Sequence, residues 1–363
     1  PSPFIRNSTQ LSAIFRLIVL YFQKLLKNNH SQFRDGQPSI GLMNANGISR
    51  MTAGNERTNP LNGRIVWSPV KSIWFTLHAL IAVIGGAFTF RHDVVLISFI
   101  FTATTLCLGH SIGLHRLLIH RSFGCPLWLE RLLVHLGTLV GMGGPFQMLY
   151  MHDIRDWSQR HEKCHPFFIH RNPIWKDFIW QLHCEIRLDD PPVFRIEPHV
   201  ANDRFYRFIQ RTWMLQQLPW ALLLYLIGGP PLVIGGISLR ITLSLIGHWL
   251  VGYFAHNAGP RDWHLEGHAV QGHNIPHIGL LTMGESWHNN HHAFPGSARL
   301  GLDATQHDPG WWALCALRKA GLVWNLKLPE DFPERPELSR IAHPAPLPEP
   351  APTKPAVRAP LPR

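Results

Sequence analysis

The sequence predicts a mainly α-helical, integral-membrane protein with four transmembrane helices arranged as two hairpins. Three observations lead there. Apolar residues are gathered into long runs, so a mean hydropathy of −0.02 hides a chain in which such runs alternate with stretches crowded with Arg, Lys, Asp and His. The runs come in pairs with short connections. The chain also carries 24 His and 14 Trp in 363 residues, imidazoles that suit metal ligation and indoles that suit the membrane interface.

The first pair is Ile73 to Phe90 followed, after Arg91-His92-Asp93, by Val94 to Gly109. At about 1.5 Å per residue each approaches the roughly 30 Å thickness of bilayer hydrocarbon. Leu218 to Ile237 and Ile241 to Ala255 repeat the arrangement, with Ser238 to Arg240 expected as the tight connection and Gly-Pro breaks inside the third span. A fifth run, Leu132 to Met151, contains Gly141, Gly143, Gly144 and Pro145 and reads as an interfacial or re-entrant segment.

The two expected hairpin turns carry only Arg91 and Arg240, whereas Arg57, Arg64, Lys71, Arg116, Arg121, Arg155, Arg160, Lys163 and Arg171 fall on the other side. By the positive-inside rule that side is cytoplasmic, and it holds nearly all the histidine clusters. The formal charge of +11 fits anionic lipid or an acidic protein partner; no nucleic-acid fold signature accompanies it, so nucleic acid is not expected. Five scattered cysteines, with no C-x-x-C pair, suggest neither a disulfide framework nor a thiolate zinc site. Residues 1–68 read as a basic, amphipathic segment, 69–335 as the membrane domain and 336–363 as a Pro-rich, disordered tail.

Histidines cluster where the apolar runs end. "HRLLIH" places His115 and His120 just after the second run, and "GHWLVGYFAH" places His256 at the end of the fourth with His248 two turns deeper. The strongest cluster is "ESWHNNHHAFPG". Its His288, His291 and His292 stand at i, i+3 and i+4, along one face of a helix, and a surface helix gains nothing from three adjacent imidazoles unless something binds them. Glu285, one turn earlier, is placed to accept an imidazole N–H and orient a ligand from behind.

Between the hairpins, "MHDIRDWSQRHEKCHPFFIH" offers His152, Asp153, Asp156, His161, His165 and His170. Within it His161-Glu162-Lys163-Cys164-His165 spells H-E-x-x-H, a zinc-protease signature. That motif needs a continuous helix, which Pro166 disfavours at His165, and a chain this rich in His meets it by chance about one time in twenty.

In order and spacing these residues resemble the integral-membrane fatty acid desaturases, of which the stearoyl-CoA desaturases are one branch. "HRLLIHRSF", "WLVGYFAH" and "GESWHNNHHAFPG" carry the resemblance, which extends over roughly Trp74 to Leu328. It implies a four-span helical bundle with a cytosolic helical cap holding a di-iron site, its two irons bound by His115, His120, His152, His256, His288, His291 and His292. The second histidine box departs from the family. Where H-x-x-H-H is usual, His152 is followed by Arg155 and Asp156, and Gly252 stands where an Asn is frequent. Asp156, His161, His165, His170 and His248 remain open as substitute ligands.

The resemblance further implies an oxidoreductase of lipid metabolism that uses O2 and two electrons to remove two hydrogens from a fatty acyl chain, releasing water. Side chains alone cannot break an unactivated C–H bond, so a redox metal is required. The expected partners are an acyl-CoA or acyl-lipid substrate, membrane lipid and a separate ferredoxin or cytochrome b5-like electron donor. Two alternatives stand beside this reading: an acyl or alkyl hydroxylase on the same scaffold, and a non-catalytic membrane protein that binds metal or lipid.

Overall fold

A helix that is apolar on every side must be covered by lipid or by protein. In a computed structural model, which describes residues 50–342 and the backbone of 43–44 and 47–48, three helical stretches are long and apolar enough to cross a membrane: Pro69–Thr89, His92–Ile119 and Gln217–Asn257. Protein buries only 22 to 33% of their most apolar windows. Val83, Phe88, Phe90 and Leu226 point outward, each more than 70% exposed, and so much contiguous apolar surface calls for lipid as its solvent. The chain is a membrane protein. The amphipathic stretch expected before residue 43 and the Pro-rich tail from residue 343 lie outside the described residues.

The first hairpin follows the expectation, turning at Arg91, but its second arm does not stop at Gly109. It continues to Ile119 and carries His110 and His115 on the same helix. The second hairpin corrects the expectation. Ser238 to Arg240 lies inside a helix, and the break falls at Gly228 (φ −151°, ψ 15°) and Gly229 (φ 70°, ψ −161°), the latter a conformation that glycine alone adopts without strain. Pro230 and Pro231 follow, in the first turn where a missing N–H costs no hydrogen bond. The two halves fold back on each other, with Leu224 packed over Gly236. Arg240 is therefore no turn cation. It is buried, and its guanidinium donates to the carbonyls of Gly236 and Leu139 and to Gln217 Oε1.

The run Leu132 to Met151 is likewise not one re-entrant segment. It belongs to two helices, Leu127–Leu139 and Pro145–Gln159, separated where Gly141 (φ 89°) and Gly143 (φ 151°) leave helical space. Short antiparallel ladders hold the outer segments. Gly63–Trp67 pairs with Cys184–Leu188, Met51–Thr52 with Val193–Phe194, and Trp263–Leu265 with Leu338–Arg340. The packed structure thus reaches past both expected edges of the central domain, residues 69 and 335.

One helix crossing fixes the rest. Helix Leu127–Leu139 lies so close to the second long helix that a Cβ at Gly109 would collide with the backbone of Leu136 and Gly137, and one at Gly113 with the carbonyl of Leu133. Around the crossing, Ile112, Leu117, Leu129, Leu133 and Leu314 form one buried cluster, and Leu114, Leu118, Val134 and Leu149 part of another. Gly113→Val should overpack this crossing and destabilise the protein by about 1–3 kcal/mol. Thermal unfolding in detergent reads that as a lowered midpoint; an unchanged midpoint contradicts the close crossing.

Candidate metal centre

His115 and His120 are five residues apart, a spacing that on an α-helix would turn them about 140° away from each other. Residues Thr105–Ile119 instead form a π-helix, with i→i+5 hydrogen bonding continued at its end by His120 N–H donating to the His115 carbonyl at 3.1 Å. The wider turn lines up His110, His115 and His120. The ring centroids of His115 and His120 lie 4.8 Å apart, and those of His110 and His115 6.4 Å.

The third box is a six-residue helix, His288–Ala293, whose two faces do different work. Its histidines point inward, while Asn289 and Asn290 brace it from behind. Asn289 Oδ1 accepts from the backbone N–H groups of Asp262 and Trp263, and its Nδ2 donates to the carbonyls of Trp263 and Gly272. Asn290 Nδ2 donates to the Leu300 carbonyl and to Gln306 Oε1. Such buried, satisfied amides fix the helix rotation that aims the imidazoles.

Two groups of ligand atoms converge. His115, His120, His152 and His291 form one and His256, His288 and His292 the other, each with all its ligand atoms within 4.8 Å of one another. The short helix serves both, since His291 turns toward the first and His288 and His292 toward the second. In the second group His288 Nε2 lies 3.0 Å from both His256 Nε2 and His292 Nε2. One imidazole nitrogen carries at most one proton and cannot satisfy two such neighbours. His291 Nδ1 is buried with no partner at all. Burial holds His120, His288 and His291 well below the ordinary imidazole pKa and His292 at about 4, so they present the neutral form that binds metal. The donor set fits divalent transition metals in imidazole-rich sites.

Carboxylates back the first group. Glu285 Oε2 lies 2.7 Å from His115 Nδ1, while its other oxygen accepts from Ser111 Oγ at 2.6 Å. Despite burial, the Glu285 carboxyl stays well below its usual range, chiefly through His115. His152 Nδ1 faces Asp153 Oδ1 at 3.4 Å, and Arg50 clamps Asp153 and Glu197 from behind. Burial would lower His152, but Asp156 and Asp153 outweigh it and raise its pKa. Asp156 stands 3.9 Å from His152 Nε2 and 3.2 Å from Arg160, and lines a small cavity with Gln159, His268, His291 and His292.

The remaining candidates are placed differently. Helix Pro145–Gln159 ends before His161, whose Nδ1 faces the Trp157 carbonyl at 2.8 Å, and His165 caps the next helix by accepting from the Phe167 N–H at 3.1 Å. Neither joins a converging group, and H-E-x-x-H does not lie on one helix. His248 packs edge-on against His110, 5.1 Å away, outside both groups. His170 also lies outside both groups, buried beside His256 with ring centroids 5.3 Å apart. Sequence reasoning missed His110, Arg50, Asp177, Asn289 and Asn290; the fivefold step from His110 to His115 to His120 was the available signal for the first.

Replacing Glu285 by Gln keeps the shape but weakens the acceptor behind His115. Losses of this kind cost about 10–100-fold in metal affinity. Titration of the purified protein with Co²⁺ should show that drop at one of two sites; equal affinity at both contradicts the role given to Glu285.

No family model matches the chain. Individual proteins do. It is 32% identical over 231 residues to the sn-2 palmitoyl-lipid 9-desaturase of Nostoc sp. (strain 36), an alignment covering 63% of this chain and 79% of that one. The sn-1 stearoyl-lipid 9-desaturase of Anabaena variabilis is 34% identical over 221 residues, 61% of this chain and 79% of the relative. An acyl-CoA 5-desaturase of Anemone leveillei is 29% identical over 263 residues, covering 71% and 79%. Likeness at that level, over most of each relative's length, places the chain in the fatty acid desaturase family, oxidoreductases that introduce a double bond into an acyl chain.

Proposed function

We propose that the protein desaturates a fatty acyl chain at a di-iron centre, one iron held by His115, His120, His152 and His291 and the other by His256, His288 and His292. The convergence of seven imidazoles, three of them buried and four half-buried, into two groups joined by one short helix carries the reading. Iron bound there would supply the O2 activation that removal of hydrogen from an unactivated C–H bond requires. The chain's own residues do the positioning. Glu285 and Asp153 hold His115 and His152 by their Nδ1 atoms, leaving Nε2 for metal, and Asp156 offers a carboxylate where the family has an imidazole.

The acyl substrate is proposed to arrive from the bilayer, since His115 and His256 stand at the ends of helices whose outer faces are apolar. Relatives act, by name, on both lipid-linked and CoA-linked acyl groups, so either is in keeping with the family. With the turn at Gly228–Gly229, residues 230–257 are long enough to cross, whereas 217–227 reach only about 16 Å at 1.5 Å per residue, so four full crossings also need the residues that precede Gln217. The basic residues flanking the clusters support a cytoplasmic position for this side by the positive-inside rule, and a separate ferredoxin or cytochrome b5-like protein would deliver electrons there.

Expression in a host lacking desaturation, followed by mass spectrometry of lipid and acyl-CoA pools, tests the activity. A product two hydrogens lighter is expected in one pool. A gain of one oxygen without loss of hydrogen would instead establish hydroxylation. The centre is tested separately, because purified protein should hold about two irons per chain and His291→Ala should lower that content and abolish desaturation; unchanged iron and activity in the variant would sink the assignment.

A further inference from the structure

The two groups of imidazoles are unequal, four against three. The polar groups beside the smaller one include Arg155, Gln159 and His170. Arg155 is a cation and cannot ligate; its guanidinium donates to Gln181 Oε1 at 3.2 Å. Gln159 Nε2 donates to the Phe168 carbonyl at 2.7 Å and stands 3.4 Å from His256 Nε2.

His170 is built differently. Its side chain is 1% exposed, and its Nδ1 lies 3.0 Å from the fully buried Asp177 Oδ1, which also accepts from the Trp249 indole N–H at 2.8 Å. Because Asp177 Oδ1 faces both rings as an acceptor, the proton sits on His170 Nδ1 and Nε2 keeps its lone pair. That Nε2 is buried and has no partner. The ring lies parallel to that of His256, within 7°, at a centroid distance comparable with those inside the two groups. The ring packs against Gly252, where an added Cβ would lie in van der Waals contact with His170 Cε1 and Nε2 at 3.7 Å. The left-handed backbone of His170 (φ 59°) and the Asn257 Nδ2 bond to its carbonyl at 2.7 Å set the side chain in place. A buried lone pair costs free energy unless something meets it, and a carboxylate behind an imidazole is the arrangement that orients metal ligands.

We propose that His170, held by Asp177, completes the ligand set of the second metal, so that a loop residue replaces an imidazole that the second histidine box lacks. The inference rests on the two-metal reading above.

Co²⁺ titration of the full-length protein in detergent, followed by metal analysis and absorption spectroscopy, tests it without reference to turnover. Wild type should bind about two Co²⁺ per chain. His170→Ala should weaken the second site by at least about 10-fold while the first keeps its affinity and spectrum, and Asp177→Asn should weaken the same site. Tyr253→Phe, which removes only the hydroxyl bond to the Asn172 carbonyl in the same loop, should leave both sites intact. Two sites of wild-type affinity and spectrum in His170→Ala would overturn the inference and leave the two-metal reading standing. Equal loss of both metals would show a merely structural histidine, and overturn it too. Fewer than two metals in wild type would remove the reading and the inference together.

Discussion

The buried ion pair between Arg116 and Asp308 is the joint on which both imidazole groups depend. Their side chains are 1% and 2% exposed, and the guanidinium and carboxylate meet at 2.7 Å. Asp308 spends both oxygens, accepting also from the Trp311, Leu300 and Gly301 N–H groups. Arg116 donates as well to the Ala298 carbonyl, just after the short histidine helix, while its neighbour Ser111 donates to Met283 and Glu285, just before it. Both ends of the third box are thereby stitched to the helix that carries the first. Removing one member of such a pair strands a buried charge, which typically costs about 3–5 kcal/mol, more than any single imidazole contact it aligns.

That stitching explains why so short a helix can hold three histidines in register. A six-residue helix has little stability of its own. Here the asparagines on its outer face take up backbone groups of three neighbouring segments, and the inner face is left free for imidazoles. His291 and His292 are adjacent in sequence yet serve different groups, because successive helical residues point about 100° apart. On the other side of the centre, Arg50 does for helix Pro145–Gln159 what Arg116 does for the loop. It bonds the Leu118 and Ile119 carbonyls while gripping Asp153 and Glu197, so the first and second boxes share one buried cation.

What could be read from the sequence follows from how local each signal is. Apolar runs and clustered histidines are local, and they gave the helices, the first hairpin and the histidine clusters, from which the resemblance to the desaturases picked out the seven residues that converge. The second turn was misplaced because Arg240 looks like a polar loop residue; only tertiary partners, Leu139 and Gln217 far along the chain, make its burial tolerable. Gly228-Gly229-Pro230-Pro231 was the better turn signal, combining a residue free to leave helical space with two suited to begin a helix. The π-helix was invisible to a 3.6-residue period, although a fivefold histidine spacing is what such a helix would align. Arg50 and Asp308 lie far from their partners, and no local pattern marks them.

The altered second box shows how one substitution constrains others. An arginine in place of an imidazole brings a permanent cation against the converging imidazoles, and burial makes that charge costlier. Burial lowers the Arg155 pKa, opposed by Asp177 and Asp156. Those two carboxylates are therefore needed twice over, Asp177 behind His170 and Asp156 between His152 and Arg160. Remove Asp177 and both Arg155 and His170 lose their counter-group at once. Arg155, Asp177 and His170 thus form a mutually dependent set: the carboxylate offsets the buried guanidinium and orients the imidazole, which packs against Gly252.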